Sequence, residues 1–380
     1  MALVSKLPSV GVTIFTVMSK LANDTGAINL SQGFPDFNCD PGLIDAVAQK
    51  MREGNNQYCP MPGVLPLREA LSKKIEGLYG RHYDPVTEIT ITSGATEALF
   101  STITALVHPG DEVIVFEPAY DSYVPALQLS GGRPVFVTLR HPDYRINWDE
   151  VRSALTPKTK LILLNSPHNP TGTVLGPEDI RELKDVLSRT DASVVADEVY
   201  EHIVFDGGRH ESLARDADIA SRAIVISSFG KTYHTTGWKV GYAVAPVAIT
   251  KEIQGVHQWV TFTVNGAIQL AYADLVNQDP EVRALSGFYQ AKRDLFLDLM
   301  KDSRFRPLPS RGTFFQLMEY GDITGEPDRD FAVRMTKEYG VASIPLSPFL
   351  HTTTAGTVLR FCFAKKDDTL RAAAERLCRI

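Results

Sequence analysis

The chain has 380 residues, 44% hydrophobic and 22% charged, with 39 Lys and Arg against 45 Asp and Glu for a formal net charge of -6. This is a globular profile, long enough for more than one hydrophobic core, and it excludes the dense basic face that DNA, RNA or an anionic membrane would require. A small-molecule partner is expected, with no nucleic acid and no membrane engaged.

The first segment, "MALVSKLPSVGVTIFTVMSK", is broken by Lys6, Pro8 and Lys20 and has no apolar core of signal-peptide length. No later apolar run is long enough to cross a bilayer, so a cytoplasmic location is expected. Cys39, Cys59, Cys362 and Cys378 show neither C-x-x-C pairing nor histidines at zinc spacing, which predicts reduced thiols and no metal site.

"GAINLSQGFPDF" reads as loop. Then β-branched runs alternate with longer amphipathic segments: "EITIT" (88–92), "DEVIVF" (111–116), "RPVFVTL" (133–139), "KLILLN" (160–165), "ASVVAD" (192–197) and "RAIVIS" (222–227). Continuous apolar runs suit strands buried on both faces, so the spacing predicts an α/β fold with a largely parallel sheet and helices on each side. From about Phe288 the pattern changes to helices, "YQAKRDLFLDLMKD" and "DTLRAAAERLCRI", around the strand-like "VLRFCFAKK". The expected division is an N-terminal arm with part of a small domain (1–45), a large domain (46–287) and a C-terminal small α+β domain (288–380).

Ligands of open parallel sheets sit beyond the carboxyl ends of the strands. There "EITIT" runs into Ser93, Gly94, Ala95 and Thr96 at a helix start, whose backbone N–H groups suit an anion such as phosphate. The next strands end in Asn165 with Asn169 close behind, in Asp197 with Tyr200, and in Ser227 and Ser228 before Lys231. Each feature alone is ordinary: a helix cap, a turn, a paired aspartate, a solvated lysine. Together they supply an anion cradle, an acid for a ring nitrogen, donors for a phenolic oxygen and a lysine for an aldehyde, the requirements of pyridoxal 5'-phosphate.

The series "INLSQGFPDF", "NQYCPMPGVLPLREAL", "ITSGATEALF", "FEPAYDSYVP", "NSPHNPTG", "ADEVYEHIVF", "SSFGKTYHTTGWKVGY" and "LRFCFAKK" covers nearly the whole chain. It resembles the fold-type I, pyridoxal-phosphate-dependent aminotransferases of class I/II, in the branch of methionine, glutamine and kynurenine aminotransferases. That resemblance implies a ping-pong transfer of the amino group of an L-amino acid to a 2-oxo acid. It implies that Lys231 forms the internal aldimine and then serves as base, that Asp197 holds the pyridine nitrogen protonated, and that Asn169 and Tyr200 bond the phenolic oxygen. Tyr120 would stack on the ring. Gly94, Ala95, Thr96, Ser228 and Lys239 would hold the phosphate, joined by Tyr58 from a neighbouring subunit in a homodimer with shared sites.

By the same resemblance Arg360 grips the substrate carboxylate with support from Asn165, and Gly33 lets the backbone close over the substrate. Phe15, Tyr58, Tyr120 and Phe262 match or adjoin positions lining the side-chain pocket. Aromatic walls favour methionine, aromatic amino acids or kynurenine, with broad use expected because one methylene discriminates by only about 1–3 kcal/mol. Two other readings are a cysteine-conjugate β-lyase on the same scaffold and a non-catalytic cofactor-binding protein.

Overall fold

The computed structural model describes residues 3–8, 10–276, 281–352 and 354–380. A short strand β1 (Ile28–Asn29) comes first. The central sheet follows from β2 (Ile89–Thr92), β3 (Glu112–Glu117), β4 (Arg133–Thr138), β5 (Thr159–Asn165), β6 (Ser193–Asp197), β7 (Ala223–Ser228) and β8 (Gly241–Val244), in spatial order β2-β8-β7-β6-β5-β3-β4. Strands β2 to β7 coincide with the expected runs to within one residue at each end.

β8 is not among those runs. It lies between β2 and β7 and is antiparallel to both, whereas β3 pairs in parallel with β4 and β5, β5 with β6, and β6 with β7. Its four residues, "GYAV", are too few to carry a period, and strand direction is set by neighbours rather than by composition.

The apolar runs are buried because both faces of the sheet are covered. Val113, Val115, Leu161 and Leu163 face one core with Ala98, Leu99 and Ile103 of the helix Gly94–Leu106, while Ile114, Phe116, Ile162 and Leu164 face the other. Each such side chain contributes roughly 1.5–3 kcal/mol by leaving water.

The C-terminal part adds β9 (Arg306–Pro307), β10 (Phe315–Glu319), β11 (Val341–Ala342), β12 (Ile344–Pro345) and β13 (Val358–Cys362); four of these form a second sheet in the order β12-β13-β10-β9. β11 pairs in parallel with β1, setting Ile28 opposite Val341, and the Cys362 N–H donates to Leu30 O at 2.8 Å. The segment read as loop is thus stitched to the C-terminal part. Helices Glu281–Leu299 and Asp367–Leu377 pack together, the first running across the expected boundary at 287 and 288. Among the described residues no helix is long and apolar enough to cross a membrane.

Candidate active site

Asn165, Asp197 and Ser228, at the ends of β5, β6 and β7, line one cavity of about 500 Å³. Its far wall comes from β13, β10 and the segment after β1, through Arg360, Phe315 and Gly33. The cavity therefore lies where the sheet meets the stitched ends of the chain.

At one end the helix Gly94–Leu106 starts without a side-chain cap from Ser93, and Gly94, Ala95 and Thr96 of its first turn line the site. Gly94 has φ +73°, and a Cβ on Gly241 would lie 2.7 Å from Ala95 N and 2.8 Å from Gly94 C, so glycine at both positions lets β8 press against this turn. Lys239 brings its Nζ to 3.5 Å from where a Gly94 Cβ would be, and Ser228 Oγ accepts the Gly230 N–H at 3.2 Å. A cation, a hydroxyl and a helix N-terminus converge there, an anion-binding arrangement.

Lys231 follows β7 in the short helix Phe229–Thr232. Its Nζ donates to Gly33 O at 2.9 Å and lies 5.7 and 5.3 Å from the ring centroids of Tyr200 and Phe314. Burial, with repulsion from Arg360 and Lys239, lowers its pKa to about 8. Burial also raises the Asp197 carboxyl to about 6, although the Tyr123 hydroxyl donates to its Oδ2 at 2.6 Å and the Val199 N–H to its Oδ1 at 3.4 Å. Tyr200 is buried, its ring edge-on to Phe314 and Phe315.

Arg360 is 1% exposed and stacks its guanidinium 3.9 Å from the Phe315 centroid, with Phe15 and Phe349 at 5.1 and 5.6 Å. Its Nη1 donates to Asn169 Oδ1 at 2.7 Å and its Nη2 to Ser31 O at 3.0 Å. Its Nε is buried without a hydrogen-bond partner, and among the described residues no carboxylate pairs with it. Burial lowers its pKa to about 10. An unpaired buried cation with an idle donor is a built receptor for a carboxylate.

Phe15, Gly33, Gly94, Ala95, Thr96, Tyr120, Asn165, Asn169, Asp197, Tyr200, Ser228, Lys231, Lys239 and Arg360 all line this cavity. Two expected residues do not. Tyr58 is 85% exposed and Phe262 43% exposed; the two come from separate segments and meet edge-on at 5.4 Å outside the cavity of their own chain. Asn165 is also corrected: its Nδ2 donates to Asp197 O and its Oδ1 accepts the Asn169 N–H, each at 2.8 Å, so it reaches Arg360 only through Asn169. The backbone acceptors and donors at its own strand end are nearer.

Tyr123, whose hydroxyl donates to Asp197, was not among the expected site residues. The one signal was its spacing of three from Tyr120, which puts both rings on one face of a turn, where they meet edge-on at 5.6 Å. Gln32, in "INLSQGFPDF" but not among the expected site residues, and Phe315, outside every quoted motif, also line the cavity. Among the described residues no group of His, Cys, Asp or Glu is placed to hold a metal ion.

The chain as a whole is similar to known proteins. Residues 25–377 match the family "Aminotransferase class I and II". A methionine aminotransferase of Escherichia coli is 49% identical over 98% of this chain and 97% of its own length. A kynurenine–oxoglutarate transaminase of Dictyostelium discoideum is 35% identical over 98% and 95%. A crystal structure of an Escherichia coli protein with a methionine aminotransferase function superposes with a TM-score of 0.98 at 48% identity, covering 100% of both chains. The chain accordingly belongs to the class I and II aminotransferases, a family of enzymes dependent on pyridoxal 5'-phosphate.

Proposed function

We propose that the cavity binds pyridoxal 5'-phosphate and that the enzyme moves the amino group of an L-amino acid with a large apolar side chain, methionine foremost, to a 2-oxo acid. The observation that carries this reading is the pairing of an amine lowered to about 8, Lys231, with a buried arginine whose Nε lacks a partner, in one cavity with a buried carboxylate. The donor set fits the cofactor: Ala95, Thr96, Ser228 and Lys239 would hold its phosphate, and Asp197 its ring nitrogen. Because Arg360 occupies Asn169 Oδ1, the Asn169 amide is left to donate from Nδ2 to the phenolic oxygen, with the Tyr200 hydroxyl alongside. Gly94 belongs to the same cradle through its left-handed backbone, and Tyr120 would cover the ring.

When bound, the cofactor supplies an aldehyde that takes up the amino group and a ring that accepts the electrons released at the α-carbon. The protein does the rest. Arg360 Nε and the remaining guanidinium hydrogens bind the substrate carboxylate, fixing the Cα–H bond in line for removal. Lys231 Nζ, whose pKa burial lowers to about 8, takes the α-proton as general base in its neutral form. Asp197 must be ionised to hold a proton on the ring nitrogen, and Tyr123 favours that form by donating to it. Phe15, Gly33 and Phe315 close the wall and exclude water.

The methionine preference is supported by the 49% identical relative and by the aromatic walls Phe15, Tyr120 and Phe315. We also assign a homodimer, in which Tyr58 and Phe262, with the 83% exposed Trp259 nearby, cover a second copy and complete its site. The division at 46–287 and 288–380 remains our reading of the domains, and the unpaired thiols suit a cytoplasmic setting.

The test is the visible spectrum of the purified protein. A yellow band that is lost on adding L-methionine and restored by a 2-oxo acid is the expected result. A band that L-methionine leaves unchanged, in a protein that converts an S-substituted cysteine to pyruvate, ammonia and a thiol, would favour the β-lyase, and no band would leave a protein without this cofactor.

A further inference from the structure

The first turn of the cradle helix holds a carboxylate, which by itself would oppose an anion bound there. Glu97 is 8% exposed; its Oε2 accepts the Ser93 N–H at 3.0 Å and its Oε1 the Ser101 hydroxyl at 2.6 Å. It lies one turn or less from Ala95 and Thr96. His257, at 0% exposure in the helix Val247–Val260, meets it from the neighbouring element. Its Nδ1 is 3.1 and 3.2 Å from the two carboxylate oxygens, and its Nε2 is 3.1 Å from Met61 O.

A carbonyl oxygen only accepts, so Nε2 carries a proton. Nδ1 and Glu97 face each other across a second hydrogen bond, which also requires a proton between them. Wherever that proton resides, the pair has no net charge. Among the described residues no Lys or Arg forms an ion pair with Glu97, so His257 is its counter-charge.

We propose that His257 is a positioning residue for the cofactor phosphate: it neutralises Glu97, which can then pin the Ser93 N–H and the start of the helix without repelling the phosphate beside it. The inference rests on the cavity binding pyridoxal 5'-phosphate. A buried histidine that merely filled space would show no dependence on the charge of Glu97.

The test compares the wild type, His257→Asn, Glu97→Gln and the double variant as holoenzymes. Each is diluted stepwise and the retained pyridoxal 5'-phosphate is read from its absorbance, with circular dichroism as the check on folding. His257→Asn should raise the cofactor dissociation constant roughly tenfold, the scale of one uncompensated charge near another at protein dielectric. Glu97→Gln should stay near the wild type, and the double variant should recover most of the loss because the anion has gone with its partner. Equal binding by the wild type and His257→Asn, or a double variant as weak as His257→Asn, overturns the proposal. If His257→Asn does not fold, the double variant carries the test, and its failure to fold or bind overturns the proposal too. A wild type with no cofactor band would instead remove the underlying reading.

Discussion

Asp197 ends β6 and Glu201 lies on the turn that follows, both buried and each near a lysine, yet the fold treats them in opposite ways. Glu201 accepts Lys74 Nζ at 2.9 Å, the Tyr242 hydroxyl at 2.9 Å, the Ser227 hydroxyl at 2.8 Å and the Tyr79 hydroxyl. Burial pushes its carboxyl up, but Lys74, His202 and the Tyr79 hydroxyl outweigh that and hold it well below the usual carboxylate range. Asp197 has one hydroxyl and one long backbone bond, and burial wins. Burial alone therefore does not make a reactive group. What separates structure from chemistry here is how completely the neighbours answer the charge.

The comparison breaks most visibly at Lys231. Lys231→Ala should lower transamination by roughly 10⁴-fold or more while leaving the unfolding midpoint unchanged or raised, since it removes a buried amine with no ionic partner; an unfolded variant would erase the distinction. Lys74→Met should do the reverse. Stranding Glu201 should cost about 3 kcal/mol of stability, within the range for broken buried pairs, while the cofactor band survives, as read by chemical denaturation beside absorbance.

Arg360→Ala sharpens the cavity side. Loss of a buried, charge-assisted grip should reduce kcat/KM by about 2–3 kcal/mol, roughly 30- to 150-fold, and by the same factor for every amino acid tested; a loss confined to one donor would move Arg360 from the carboxylate to the side-chain pocket. Tyr123→Phe is the smallest change. Removing its hydroxyl takes away a donor that favours ionised Asp197, so the carboxyl should rise further above its ordinary value, beyond about 6. Activity needs the ionised form, so the acid limb of the rate profile should move to higher pH, by roughly one unit for a bond of about 1 kcal/mol. An unmoved limb would make Tyr123 a packing residue only.

Most of the sheet was legible because its strands are continuous β-branched runs, a local property. The cavity residues at the strand ends were legible for the same reason, since a strand's last residue is fixed once the strand is. β8 was not, having too few residues for a period and a direction imposed by β2 and β7. Glu201 gave no hint of its role, because Lys74 and Tyr79 come from a helix more than a hundred positions earlier. The exchange between Asn165 and Asn169 was hidden for a subtler reason: both amides sit in one loop, and only the placement of Arg360 from β13 decides which one it engages.

The pairing of β1 with β11 has a consequence in time as well as space. Ile28, Leu30 and Ser31 leave the ribosome some three hundred positions before their partners Val341, Cys362 and Arg360. The central sheet, whose strands all lie between Ile89 and Val244, is complete in sequence long before that. During synthesis the chain thus passes through a stage that holds Asp197 and Lys231 without the arginine that would orient a substrate. Synthesis and docking of the segment that carries Arg360, rather than closure of the sheet, is the step that supplies this arginine.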